Sequence, residues 1–206
     1  MPLPFIVKRT KGLKYTSLQN ASGIARFIHF IMMRKASIIL KRIEPSVQGT
    51  KILDVGMGAG SISYFLKKKG FDVTSVDVAN LSMYEDLQPV LYDGKKLPFA
   101  TGEFDTAVII HVLHHCDDGV QVLKEAKRVA KRVIFIEDTY RNPLEWFIIS
   151  VSDAVNNGEL WFHTYRKVSE WKKIIKENEW KLITYSTWSE WAVAAIYGRY
   201  CMFVIE

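Results

Sequence analysis

Residues Lys51–Gly60 read KILDVGMGAG, and on this stretch the fold turns. KILDV is a short apolar run with β-branched character, and three glycines follow it at every second position, 56, 58 and 60. Glycine inside a regular element costs roughly 0.5–1 kcal/mol against alanine, so three this close belong to a turn whose backbone something approaches. SISYFLKKKG (61–70) comes next, with Ile62, Phe65 and Leu66 at helical spacing, three lysines in its last turn and Gly70 as a stop. Cations suit the negative end of a helix, and glycine supplies a left-handed cap. The reading is strand, glycine turn, helix.

Working outward, DVTSVDV (72–78) reads as the next strand, PVLYDG (89–94) as a weaker third, FDTAVIIHV (104–112) as a fourth and RVIFIED (132–138) as a fifth. DDGVQVLKEAKRVA (117–130) is a helix between the last two, opened by acids and closed by bases. Apolar runs alternating with helices predict a parallel sheet covered on both faces. Residues 142–155 look like an inserted helix, and 168–180 a helix with Ser169 as its N-cap. Two final strands close the chain. The expected class is α/β: a single Rossmann-like, doubly wound sheet of about seven strands, mostly parallel with an antiparallel last strand, plus N-terminal helices. Residues 17–44 supply those helices, and Pro45 stops them. The expected division is an extension or lid over 1–45 and a main domain over 46–206, with a substrate-side insert at about 139–167.

The net charge of +6 is uneven: residues 1–51 carry +9 and residues 52–206 carry −3. An anionic partner, nucleic acid or a membrane surface, is one use for such a basic segment, and a solvated face is the plainer one. Residues 24–33, IARFIHFIMM, are too short and too charged to span a bilayer. The two cysteines, Cys116 and Cys201, lie far apart, which suits a reduced cytoplasmic protein.

A strand that ends in glycines and opens a helix is a ligand cradle at the carboxyl edge of an α/β sheet. Asp77 ends the next strand, 17 residues after Gly60, and a carboxylate there suits a ribose diol. Dinucleotide sites use G-x-G-x-x-G, whose sixth position here is Ser61. The ligand therefore has a diol but no pyrophosphate to seat, which disfavours NAD chemistry.

DVGMGAG (54–60) resembles motif I of the class I S-adenosylmethionine-dependent methyltransferases, in their small-molecule branch. The resemblance extends to SVD (75–77), YDGKKLPF (92–99), EFDTAVIIHVLHHCDD (103–118) and LKEAKRV (123–129). It implies S-adenosyl-L-methionine as cofactor and S-adenosyl-L-homocysteine as product. It further implies that Asp54 and the backbone of Gly56, Met57, Gly58 and Gly60 hold the methionine amino group. Asp77 would take the ribose hydroxyls, Val78 would line the adenine pocket, Asp93 would face the adenine amine with Gly94 nearby, and His111 would lie near the sulfonium. Met57 and His111 depart mildly from the family pattern.

Methyl transfer from a sulfonium needs alignment, exclusion of water and, for a hydroxyl acceptor, a base. His114 and His115 past strand four and Asp138 at the end of strand five are the catalytic candidates. Trp146, Trp161, His163 and Tyr165 are the substrate-side candidates, as aromatic cover of an acceptor pocket. No metal is expected, because the His/Cys/Asp cluster at 111–118 has no second ligand cluster at zinc-like spacing elsewhere. The expected activity is methyl transfer to a small molecule. RNA or protein methylation using the basic N-terminus, and a cofactor-binding but non-catalytic partner subunit, stand as alternatives.

Overall fold

The computed structural model describes residues 23–157, 163–192 and 196–206. Chain order is helix α1 (Gly23–Ile43), strand β1 (Lys51–Val55), α2 (Ser61–Lys68), β2 (Asp72–Asp77), β3 (Val90–Leu91), β4 (Phe104–Ile110), α3 (Gly119–Val129), β5 (Ala130–Asp138), α4 (Pro143–Asn157), α5 (Val168–Glu177), β6 (Leu182–Ala192) and β7 (Ile196–Ile205). Short 3-10 turns occupy Glu44–Ser46 and Leu113–His115.

The seven strands form one sheet in the order β3-β2-β1-β4-β5-β7-β6. The first five pair in parallel; β7 runs antiparallel to both β5 and β6. The chain starts at the centre, winds outward through β2 and β3, then returns to β4 on the other side of β1. That reversal opens a crevice at the carboxyl edge between β1 and β4, where open α/β sheets bind ligands.

Both faces are covered, as buried parallel strands require. Alternate residues point to opposite sides. Leu53, Val55, Ala107, Ile109, Val133 and Phe135 pack with Leu123, Ala126 and Val129 of α3 and with Trp171 and Ile175 of α5. Ile52, Val108, Ile134 and Ile136 pack with Leu66 of α2 and with Ile39, Leu40 and Ile43 of α1. The last two turns of α1 are thus part of the core. Among the described residues no helix is long and apolar enough to cross a membrane.

Element boundaries differ from the sequence expectation where local chemistry intervenes. The third strand shrinks to Val90–Leu91 at the exposed sheet edge. The fourth stops at Ile110, because His111 turns to φ +55°. The acids at 117–118 stay outside α3, and Asp118 caps it by accepting from the Gln121 N–H at 2.9 Å. Ser169 is not the N-cap of α5: that helix begins at Val168, and Glu170 reaches back to accept from the Lys167 N–H at 2.6 Å. At the end of α2 the expectation stands. Gly70 adopts φ +90°, its N–H donates to Lys67 O at 2.9 Å, and the Phe71 N–H donates to Leu66 O at 3.2 Å, which closes a Schellman motif.

Candidate functional site

The three glycines after β1 serve different purposes. Gly56 has φ +75° and donates its N–H to Val76 O at 2.9 Å. A Cβ there would stand 2.4 Å from Val112 Cγ2, so this glycine lets β4's continuation pack against the turn. A Cβ on Gly60 would come within 3.1 Å of the Tyr84 ring. Only Gly58 opens outward: it has φ +53°, and a Cβ would meet no protein atom within 4 Å. Sequence reasoning gave all three to the ligand; tertiary packing claims two of them.

The Gly58 N–H donates to Asp77 Oδ2 at 2.8 Å, and the Ala79 N–H donates to Oδ1 at 3.3 Å. Asp77 thereby locks the glycine turn to the end of β2. Burial pushes its carboxyl up, against the two backbone donors. Asp54 lies beneath the turn, only 2% exposed. The Ser63 hydroxyl donates to Asp54 Oδ2 at 2.6 Å and sits 2.7 Å from the Ser75 hydroxyl, which must then donate in its turn. Burial pushes Asp54 up to about 6, moderated by Ser63 and reinforced by the nearby charge of Asp77. Met57 is buried. Val78 is 61% exposed at the sheet's carboxyl edge, beside Gly94, whose Cβ would stand 3.2 Å from Val78 Cγ1. Asp93 is exposed and uses Oδ1 to accept from the Lys95 and Lys96 N–H groups at 2.9 and 3.0 Å.

The loop carrying Asp93 and Gly94 is fixed from behind. Arg128 on α3 donates to Phe99 O and Leu97 O at 2.9 and 3.0 Å, and Glu125 accepts from the Leu97 N–H at 3.0 Å. The segment LKEAKRV is therefore a clamp on this loop.

A second group gathers past β4 and β5. His111 Nδ1 lies 2.8 Å from Asp138 Oδ2, and the Tyr200 ring meets the imidazole edge-on at 5.2 Å. Burial alone would raise the Asp138 carboxyl; His111, with His114 and Lys35, holds it well below the usual range instead. An ionised Asp138 only accepts, so Nδ1 of His111 is the donor in this pair. A non-glycine residue at positive φ is uncommon, and the His111 N–H is held by Ile136 O at 2.8 Å.

Glu137, 1% exposed, accepts from the Val112 and Leu113 N–H groups through Oε1 at 3.0 and 2.7 Å, and meets His114 Nδ1 through Oε2 at 2.5 Å. Burial pushes His114 down, but Glu137 wins and lifts it to about 9. Burial, with His114 and His163 nearby, pushes His115 down to about 2 and keeps it neutral. Asp153 of α4 collects the rest. Tyr165 donates its hydroxyl to Asp153 Oδ2 at 2.7 Å, and Nε2 of His163 and of His114 lie 3.4 and 3.8 Å from the same oxygen. Four of the chain's five histidines thus occupy one corner.

Of the substrate-side candidates, His163 and Tyr165 join this corner. Trp146 is half-buried on α4, two helical turns before Asp153, and Trp161 lies outside the described residues. Sequence reasoning did not single out Asp153, Tyr200 or Ser63; Glu137, at the end of strand five, reads from sequence as a candidate base, whereas its carboxylate holds two backbone N–H groups and His114. Asp153 had a signal: it is the only acid within the apolar run WFIISVSDAV.

The residues at the glycine turn suit a nucleoside with an amino-acid tail. The open side of Gly58 and the carboxylate of Asp77 are joined by one hydrogen bond, the exposed Val78 follows Asp77 directly, and the buried Ser61 Oγ at the start of α2 has no hydrogen-bond partner among the described residues. Comparison with known proteins points the same way. Residues 53–133 match the family model described as a methyltransferase domain. A ubiquinone biosynthesis O-methyltransferase of Bordetella avium is 26% identical over 117 residues, covering 50% of this chain and 48% of that protein. A 23S rRNA (uracil(747)-C(5))-methyltransferase of Pyrococcus abyssi is 49% identical over 81 residues, 37% of this chain and 19% of that protein. The chain thus spans half or less of the length of these relatives. Magnesium protoporphyrin IX methyltransferase of Synechocystis, solved with bound S-adenosylhomocysteine, shares the fold with TM-score 0.62 at 15% identity, over 90% of this chain and 88% of that one. Residues 53–133 thus match a methyltransferase-domain model, and the fold as a whole is one that this chain shares with a solved methyltransferase at low sequence identity.

Proposed function

We propose that this protein transfers a methyl group from S-adenosyl-L-methionine to a small-molecule acceptor by in-line displacement. One observation carries the reading: the Gly58 backbone stands open in a left-handed conformation, with its N–H tied to Asp77. When bound, the cofactor supplies a methyl group on a cationic sulfur. Asp77 holds the ribose hydroxyls, Val78 covers the adenine face, Asp93 and Gly94 border the adenine amine, and the Gly56–Gly60 turn holds the amino-acid end, with the buried Met57 and Asp54 supporting that turn from within.

The proton chemistry belongs to His111. Asp138 fixes its tautomer, and Nε2 is left to take a proton from an acceptor hydroxyl. His114 has its Nδ1 proton committed to Glu137 and serves to position the corner, with His115 neutral beside it. His163 and Tyr165 border the acceptor side. The middle of α1 acts as a cover: Lys35 lies 5.6 Å over the Tyr200 ring, and Tyr84 donates to Met33 Sδ at 3.0 Å; residues 1–22 of the expected lid lie outside the described residues. The O-methyltransferase relatives favour an oxygen acceptor. The rRNA methyltransferase relatives and the basic residues 1–51 favour a second reading, in which the acceptor lies in RNA. Two free cysteines agree with a cytoplasmic location.

Titration with S-adenosylhomocysteine and with NAD tests the cofactor assignment. Saturable binding of the first and none of the second is expected. Binding of NAD alone would overturn it. A methyl-transfer screen across phenols, quinols and RNA then separates the two acceptor readings.

A further inference from the structure

We propose that the corner formed by His114, His115 and Asp153 is a binding site for a divalent transition-metal ion of the zinc class, with His163 at its margin. One ligand atom from each of His114, His115 and Asp153 lies within 4.8 Å of the others. Asp153 Oδ2 is the common point, 3.8 Å from His114 Nε2 and 3.4 Å from His163 Nε2. The His115 ring lies 4.1 Å from that of His114 and 4.3 Å from that of His163.

The surroundings are those of a metal site. Glu137 holds His114 Nδ1 at 2.5 Å and so presents Nε2 toward Asp153. A carboxylate behind a histidine fixes the tautomer and sharpens the donor, as it does around protein-bound zinc. Glu137 is itself anchored by two backbone N–H groups. Tyr165 donates to Asp153 Oδ2 at 2.7 Å and orients the carboxylate. Imidazole and carboxylate donors suit Zn²⁺, Co²⁺ or Ni²⁺ and disfavour Mg²⁺ or Ca²⁺. Donors about 2.1 Å from a tetrahedral ion stand about 3.4 Å apart, so His115 and Asp153 draw in by about an ångström while His114 stays.

Three protein ligands leave an open position, the arrangement of zinc sites that act on a substrate. The corner adjoins His111, whose ring lies 6.5 Å from that of His114. An acceptor oxygen bound to the ion would therefore face the base. That use rests on the methyltransferase reading; the metal site does not.

The test uses tag-free, chelator-stripped full-length protein. Isothermal titration with Zn²⁺ should show one site. Co²⁺ should give the visible absorption of a tetrahedral nitrogen and oxygen set. His115→Ala and Asp153→Asn should each weaken binding by about tenfold or more, and Glu137→Gln should do so by about 10–100-fold if it folds. S-adenosylhomocysteine affinity is measured on the same samples and should stay unchanged in the first two variants, which separates loss of the ion from failure of the cofactor reading. Absence of Zn²⁺ binding, or binding indifferent to both His115→Ala and Asp153→Asn, overturns the site.

Discussion

Replacing Gly58 with alanine, and Gly56 with alanine in a parallel variant, should give opposite phenotypes from the same added methyl group. At Gly58 the Cβ meets no protein atom within 4 Å, so the only folding penalty is φ +53°. A left-handed conformation costs a non-glycine residue about 1–2 kcal/mol. For a chain of this size that lowers the melting temperature by roughly 2–8 °C. The methyl group nevertheless stands in the cradle, so S-adenosylhomocysteine binding should fall by about a hundredfold, a loss of about 2.7 kcal/mol. At Gly56 the same methyl would sit 2.4 Å from Val112 Cγ2. Overpacking adds about 1–3 kcal/mol to the backbone penalty, giving about 2–5 kcal/mol in all and roughly 5–20 °C in melting temperature. Adding Val112→Ala should return part of that stability to Gly56→Ala and do nothing for Gly58→Ala. Thermal unfolding and calorimetric titration on the four variants read both quantities. Wild-type affinity in a folded Gly58→Ala protein would refute the cradle, and equal destabilisation at the two positions would refute the packing distinction.

Asp77→Ala should weaken S-adenosylhomocysteine binding by about 1–3 kcal/mol, roughly 5–150-fold by titration, because it unpairs the Gly58 N–H and removes the diol acceptor. Asp54, lifted to about 6 by burial, holds its proton more readily folded than unfolded. Its contribution to stability is therefore present in acid and is lost as pH rises from about 4 through about 6. Asp54→Asn should flatten that slope by an amount on the order of 1–3 kcal/mol, visible in denaturant titrations at several pH values. Asp138→Asn should leave cofactor affinity intact and, with a hydroxyl acceptor, lower kcat by about 10²–10⁴-fold, with part of the loss recovered at higher pH; an unchanged rate would remove His111 as the base. Arg128→Ala frees the 95–99 loop from two carbonyl contacts and should cost about 1–3 kcal/mol in stability.

Much of the fold was legible because its signals are local. The 3.6- and 2-residue periodicities, the glycine turn at 56–60 and the closing Gly70 each act within a few residues of themselves, and alternating strands and helices point to a parallel sheet covered on both faces. Errors fell at the ends of elements, as at Ser169 and His111, where one hydrogen bond decides between continuing and turning. The glycine turn and Asp77 were readable for the same reason: they sit at the ends of adjacent strands, and the β1–β2 pairing alone brings the Gly58 N–H to the carboxylate.

The pairings past β4 and β5 were not. His111 and Asp138 are 27 residues apart and His114 and Glu137 are 23 apart, and they meet because β4 and β5 end together. Asp153 and His163 reach the same corner from α4 and the segment after it. What the amino-acid sequence determined by itself was the class of fold and the glycine turn after β1, since both rest on chain geometry over short distances. Which side chains share a hydrogen bond or gather in one corner was decided only by tertiary structure, because electrostatic and hydrogen-bonding partners depend on separations of a few ångströms that no spacing along the chain encodes.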